Sequence, residues 1–591
     1  VSGLRGHALV GAVLAMMAVG GAIAAPAGLD THAERTGFVE TGRYAEVGEL
    51  CAAFARRFPD AVRCERFGTT PEGRPLLVLV ASTSGALDPA QAKARGLPVV
   101  LVQGGIHAGE IDGKDAGFGL LRDILQGTRQ RGVLDRQVLL FVPVFNADGH
   151  ERFKAWNRPN QRGPVESGVR ATGQNYNLNR DYVKADAPEM QAMLRLVGRW
   201  DPILVADLHV TNGAKFQHDV AIQVEPLNVG DAGLARAGKA LSDALLARHA
   251  ARGGLPLPYY PTLLARDDPS SGFAANVYPP RFSTGYFPMR NRFTVLVETH
   301  AWKPYAQRVA ITRDLVGDML ALAGTDGRDW LALAATADRQ AADIAGTRFA
   351  LGWTHTGEPR LIDFAGYAYT RERSDVSGDL WTRYDETRPQ VWRVPLYEQL
   401  RPEATADLPR GGYVVEAAHA DRIGALLDLH GIAHRRIDAR LDAHPLETRR
   451  IAGATISATP FEGRHQVKAE GQWSREARDL PAGALYVPLA QPASRLVASL
   501  FEPNGPDSLL AWGFFNAIFE RKEYVAAYVA EEIAREMLQD TAVAAEFRER
   551  LASDAAFAAS PAQRLEFFTR RHASWEERYG LYPVYRVQAG L

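Results

Sequence analysis

The chain has 591 residues, 46% of them hydrophobic and 23% charged. These are globular values, in a chain too long for one ordinary core, so extensive disorder is excluded and two or more domains are expected. Lys and Arg total 68 against 69 Asp and Glu, a balance that argues against nucleic acid or an acidic membrane surface as partner and leaves a small molecule or a peptide.

The chain opens with Arg5 ahead of a small-residue apolar stretch that ends in Ala22-Ile-Ala24 and Ala25-Pro-Ala27. This reads as a secretory signal over residues 1–25. The stretch is rich in Ala and Gly and no basic stop-transfer cluster follows it, which separates it from a membrane anchor. A periplasmic or secreted protein is expected, without a stable membrane anchor once the signal is removed. Cys51 and Cys64 are the only cysteines; an oxidising compartment suits a disulfide between them, with two buried free thiols as the alternative.

From about residue 75 to 299, apolar β-rich runs alternate with helical patterns, as in α/β chains. Strands are predicted over 76–81, 99–103, 138–145, 203–208, 220–224 and 293–297, with helices over 114–125, 188–199 and 231–250 between them. Unbroken hydrophobic strands imply burial on both faces, so the expected fold is a three-layer α/β domain around a mixed sheet. Helices expected near 309–346 close that unit or lead out of it. Beyond about 347 short strand candidates are separated by Pro, Gly and Asp, and the C-terminal end returns to helix. The expected division is a catalytic domain over 30–345 and a smaller β-rich α+β accessory domain over 346–591.

The strand over 99–103 stops at Gly104 and Gly105, then presents His107 and Glu110. Zinc accepts imidazole nitrogen and carboxylate oxygen, and a catalytic site uses three protein ligands. The spacing alone is weak evidence, since His444 and Glu447 repeat it with no apolar strand ahead of them. Context separates the two pairs, because open α/β sheets place their ligands at the C-terminal ends of strands. A third ligand is found where the run over 203–208 leads into Asp207, Leu208 and His209. Asp207 is placed to support a ligand or the loop. The strand over 293–297 leads to Glu298, a carboxylate that is costly there unless it is used, and therefore the candidate general base, with His300 as a competing ligand. Between these segments a polar stretch carries Arg158, Arg162, Arg170 and Arg180 with Asn177 and Asn179. Guanidinium groups bind carboxylates bidentately and stabilise oxyanions, which suits a substrate with a free carboxyl end. A solvated loop is a reasonable alternative for Arg162 and Arg170.

Taken as a set and in this order, His107-x-x-Glu110, Asn179-Arg180, His209 and Glu298 resemble the zinc metallocarboxypeptidases of the M14 peptidase family, over about residues 40–320. The resemblance implies one zinc ion held by His107, Glu110 and His209, and Asn179 and Arg180 on the terminal carboxylate of a peptide substrate. It further implies Glu298 as base and proton shuttle, and Arg158 as the group that polarises the scissile carbonyl, with Arg162 close by. The tyrosine that closes over the substrate is assigned to Tyr286, with Tyr278 as the other candidate. One departure stands out: many members have an acidic residue two positions before the Asn-Arg pair, supporting a zinc-binding His, and this chain has Asn177. The implied reaction is hydrolysis by a zinc-activated water, releasing C-terminal residues. A zinc amidase acting on N-acyl amino acids or cell-wall peptides is the alternative, since "DLHVTNG" is also similar to aspartoacylase-like deacylases. A non-enzymatic binding protein on the same scaffold is disfavoured by the full set of ligands and base.

Overall fold

A computed structural model describes residues 28–591 apart from 212 and 228. The expected signal segment, residues 1–25, lies outside the described residues. Among the described residues no helix is long and apolar enough to cross a membrane.

Nine strands precede the C-terminal half: β1 (Val62–Thr69), β2 (Pro75–Ala81), β3 (Val99–Gln103), β4 (Val138–Val142), β5 (Leu204–Val210), β6 (Val220–Glu225), β7 (Pro256–Leu257), β8 (Phe273–Ala274) and β9 (Phe293–Thr299). All but β8 form one mixed sheet in the order β1-β2-β4-β3-β5-β9-β6-β7. Its centre, β4-β3-β5-β9, is parallel. β2 and β6 join it antiparallel on either side. β3, β4, β5 and β9 are buried along their whole length, the pattern of strands covered on both faces.

Successive residues of the central strands enter opposite layers. Val100, Val102, Leu139 and Phe141 join a core formed with the helices Asp112–Leu125 and Tyr305–Ala341, while Leu101, Val138, Leu140 and Val142 join the other. That second core contains Met190, Met193 and Leu194 of the helix Pro188–Trp200, and it continues without a break into Ile423, Leu427, Leu496 and Leu500. The latter belong to the helices Ala420–His430 and Ser494–Phe501. The C-terminal half therefore helps to cover one face of the catalytic sheet, and packing is continuous across residue 345.

Past that point the strands are longer than the sequence suggests. β10 (Arg348–His355) pairs with β13 (Leu400–Asp407), and β11 (Arg360–Arg373) with β12 (Leu380–Tyr397), the latter two as a long antiparallel ribbon. A second sheet holds β14 (Gly412–Val415), β15 (Arg435–Arg436), β16 (Leu441–Ile456), β17 (Val467–Leu480), β18 (Leu485–Pro488) and β19 (Val584–Val587). β16 and β17 project from it as another ribbon. Much of both ribbons is exposed and polar, so ladder hydrogen bonds rather than apolar burial carry them, and hydrophobic patterning marks only their inner ends. The helices foreseen near 309–346 are one 37-residue helix, Tyr305–Ala341.

The two cysteines are joined, tying the helix Tyr44–Arg57 to β1 across a sequence separation of 13. Closing a loop of this size restricts the unfolded chain and stabilises the fold by about 3 kcal/mol. Replacing both residues (Cys51→Ala with Cys64→Ala) is expected to remove about that much stability, read as a lower urea midpoint with the same secondary structure by circular dichroism.

Candidate metal and peptide site

β3 ends in a tight turn before the helix Asp112–Leu125. Gly105 takes φ +61°, a left-handed conformation that favours glycine. The Glu110 N–H donates to the His107 carbonyl at 2.9 Å, so the pair sits on a turn. Gly109 is needed for space: a Cβ there would lie 2.6 Å from Arg158 Cγ and 2.6 Å from the Gly168 carbonyl. Beside β3, β5 and then β9 run parallel, with His209 and Glu298 as register partners. Both residues lie within their strands, each one place beyond the predicted end, because the ladder between β5 and β9 continues past the apolar run. Strand register and one glycine-rich turn thus bring together groups far apart in sequence.

His107 Nδ1 is 3.1 Å from Glu110 Oε1, and His209 Nδ1 is 2.9 Å from Glu110 Oε2. The ligating atoms of the three residues all lie within 4.8 Å of one another, and all three side chains are buried. Two imidazoles and one carboxylate are the donor set of a catalytic zinc, and bonds of about 2.1 Å would separate tetrahedral ligands by about 3.4 Å. The cluster fits such an ion. The outer nitrogen of each ring lies beside a side-chain oxygen, at hydrogen-bond geometry for His107 and at ion-pair distance only for His209. His107 Nε2 donates to Asn177 Oδ1 at 3.0 Å, an oxygen that also accepts the Asn179 N–H at 3.1 Å. His209 Nε2 lies 3.1 Å from Asp207 Oδ1, and Asp207 in turn accepts from Gln103 and Ser283. Outer partners of this kind fix the tautomer and aim the inner nitrogen at a metal. Asn177 therefore makes with a neutral amide the contact that the resemblance leads one to expect from an acid.

The electrostatics are those of a buried acid ringed by cations. Burial pushes the Glu110 carboxyl up, but the charges of His107 and Arg158 and hydrogen bonds from both histidines outweigh it and hold it well below the usual carboxylate range. Burial lowers His107 to about 4, against the pull of Glu110. Burial also opposes protonation of His209, but Asp207 prevails and raises it well above the ordinary histidine value. Glu298 is pushed up to about 8, first by burial and then by the negative charge of Glu110, with His209 opposing. A dication among the ligands would draw Glu298 and both imidazoles downward.

A cleft of about 290 Å³ opens beside these groups, lined by His107, Glu110, Arg170, Asn179, Arg180 and Glu298 on the chemical side. Asn179 Oδ1 is buried without a hydrogen-bond partner. Arg180 lies over the Phe282 ring at 4.1 Å, and among the described residues no carboxylate comes within 4.0 Å of its guanidinium. Arg180 Nη1 donates to the Asn179 carbonyl at 2.7 Å, and both side chains line the cleft.

Some expectations need correction. Tyr286 is fully buried outside the cleft; its hydroxyl meets His430 Nδ1 at 3.0 Å and its ring packs on Tyr182. Tyr278 lines the cleft instead. The motif was too sparse to align, and only the fold reveals that the helix Ser283–Met289 carries Tyr286 into the core. Arg158 does reach the ligands, with Nη1 2.9 Å from Glu110 Oε1, but its Nη2 donates to the Val210 carbonyl and the side chain is absent from the cleft wall. Arg170, set aside as loop, is on that wall, with Nη2 2.9 Å from Glu110 Oε1 and Nη1 2.8 Å from His107 Nδ1. Nothing local in the sequence distinguishes it from its neighbours. Arg162 pairs with Glu386 of β12, and His300 stacks on Phe216 at 4.0 Å, so neither joins the cluster.

Residues 47–214 match the family model for zinc carboxypeptidase, Peptidase_M14. This segment belongs to the M14 zinc carboxypeptidase family. The match spans His107, Glu110, Asn179, Arg180 and His209, and it makes the enzyme a metallocarboxypeptidase, a hydrolase. Among solved structures, a metallo-carboxypeptidase from Burkholderia cenocepacia is 16% identical at a TM-score of 0.34, over 47% of this chain and 69% of that one. A putative carboxypeptidase A from Shewanella denitrificans is 16% identical at 0.37, over 48% and 70%. A metallo-carboxypeptidase from Pseudomonas aeruginosa is 17% identical at 0.34, over 46% and 68%. No curated protein matches the sequence.

Outer-shell partners are worth about 10–100-fold in metal affinity. Asp207→Asn in the carboxypeptidase is therefore expected to weaken zinc binding by about that factor, measured by competition with a chromophoric chelator.

Proposed function

We propose that this carboxypeptidase removes C-terminal residues from peptides, with one zinc ion held by His107, Glu110 and His209. The observation that carries the reading is the pairing, across one cleft, of a metal-type donor cluster with a carboxylate receptor made by Arg180 and Asn179. When bound, zinc supplies a water acidified toward about pH 7 and a Lewis acid for the scissile carbonyl. Glu298 takes the proton of the attacking water on its carboxylate and delivers it to the leaving amine. Its place on the cleft wall beside the ligand cluster suits it to that transfer. Arg170, facing the cleft, steadies the developing oxyanion, and Arg158, behind Glu110, holds that carboxylate in place. Arg180 and Asn179 fix the terminal carboxylate, so that the bond presented to the cluster is the last one in the chain. Tyr278, which lines the cleft, takes the substrate-covering role.

Side-chain preference follows from the remaining lining. Val210, Thr262, Tyr278, Phe282, Thr284 and Leu296 are neutral, and the two acids of the wall loop are turned elsewhere. Asp268 pairs with Arg371, and Asp267 is largely exposed. This supports an uncharged aromatic or aliphatic terminal residue over a basic one. The disulfide supports an exported, periplasmic or secreted enzyme.

The test compares one peptide ending in Phe with a free carboxyl, the same peptide amidated, and one ending in Lys. The first is expected to be cleaved at least tenfold faster than either of the others, a difference of about 1.4 kcal/mol; equal rates for acid and amide would remove the carboxylate receptor. Glu298→Gln is expected to lower kcat by roughly 10²–10⁴-fold, the usual worth of a general base, with zinc content by atomic absorption unchanged.

A further inference from the structure

The segment that carries the carboxylate receptor is held by a residue nearly three hundred positions further along. Asn177 is the hub of this segment. Its side-chain oxygen receives His107 Nε2 and the Asn179 N–H, and its carbonyl receives the Arg180 N–H at 3.0 Å. The Asn177 backbone N–H donates to Glu462 Oε2 at 3.1 Å. Glu462 sits at the tip of the ribbon formed by β16 and β17.

The tip is built to keep that carboxylate in place. Glu462 itself has φ +50° and Gly463 has φ +78°, a tight turn closed by mutual hydrogen bonds between Phe461 and Arg464. A non-glycine residue in the left-handed region costs energy and persists only where its surroundings fix it. They do so here: Arg464 Nε donates to Asp186 at 2.6 Å while its guanidinium lies 3.9 Å from the Phe514 ring. Phe461 stacks on Trp512 at 5.9 Å. Gly463 lies against the Tyr176 ring so closely that a Cβ would come within 2.8 Å of it. Burial pushes the Arg180 guanidinium down, and the Glu462 carboxylate is the main charge opposing that.

We infer that Glu462 is a positioning residue for substrate binding: through its hydrogen bond to the Asn177 N–H, the ribbon tip sets the conformation of residues 176–180 and so the aim of Asn179 and Arg180. The C-terminal half is then a working part of the peptide site. This rests on the carboxylate-binding reading of Arg180, so one readout is chosen that does not depend on it.

Glu462→Ala removes the acceptor, whereas Glu462→Gln keeps an acceptor oxygen and loses the charge. For the free-carboxyl Phe peptide, the Ala variant is expected to raise KM about fivefold to tenfold, the worth of one hydrogen bond of about 1–1.4 kcal/mol, with kcat within about twofold and zinc content unchanged. The Gln variant is expected to restore KM to within about twofold of the parent. A merely structural contact would lower stability or zinc content without this split and without the rescue. Amide hydrogen exchange, followed by mass spectrometry on the peptide spanning 174–180, should be faster in the Ala variant and near parental in the Gln variant. An unchanged KM with unchanged exchange overturns the inference, as does a Gln variant that behaves like Ala. If the parent cleaves no free-carboxyl peptide, the functional reading fails, and the exchange result alone decides the role of Glu462.

Discussion

The site is organised by one buried negative charge. Glu110 is almost completely enclosed, and an enclosed carboxylate is tolerated only when cations and donors surround it. His107, His209, Arg158 and Arg170 all reach its two oxygens within 3.1 Å. Each arrives on a different element, so the acid acts as the point at which a turn, a strand and two loop arginines converge. The cleft-lining groups nearby, Asn179 with its unpartnered oxygen and Arg180 with no carboxylate in contact among the described residues, lie one step outward. The inner groups are thus satisfied by the protein, and the outer ones are open to a ligand.

The chemical centre was readable from sequence because its residues lie at the ends of apolar strands. His107, His209 and Glu298 each follow a run that is hydrophobic on both faces, and parallel register carries those ends to one edge. Asp207 was readable in the same way, two positions from His209 and on the same face of its strand. The tyrosine and the arginines were not, since they lie on irregular segments where no periodicity states which way a side chain points. Tyr278 and Tyr286 differ only in whether a short helix carries the side chain inward, and Arg158 and Arg170 are alike until the loop is folded.

The C-terminal half was the least legible part. Its ribbons are polar through much of their length, so hydrophobic patterning detected only the inner ends. Its relation to the catalytic sheet was hidden as well, because helices that cover one face of a sheet look the same in sequence whichever domain they belong to. The shared core running from Val78 to Val584 makes one body of the two halves. The ribbon of β11 and β12 adds a further link: Leu396 and Tyr397 pair with Phe273 and Ala274, and Glu386 accepts from Arg162 and Lys215.

That the recognition segment is braced by a hairpin tip separates two properties that most enzymes encode together. The tip is short but tightly held, by Tyr176, Asp186, Trp512 and Phe514, so only exchanges that keep those contacts preserve its geometry. The ion-binding cluster is rooted in strand ends and is linked to the tip through Asn177, which touches both Glu462 and His107. A change at the tip thus bears first on how the substrate is held, and on the hydrolytic centre only through that one amide.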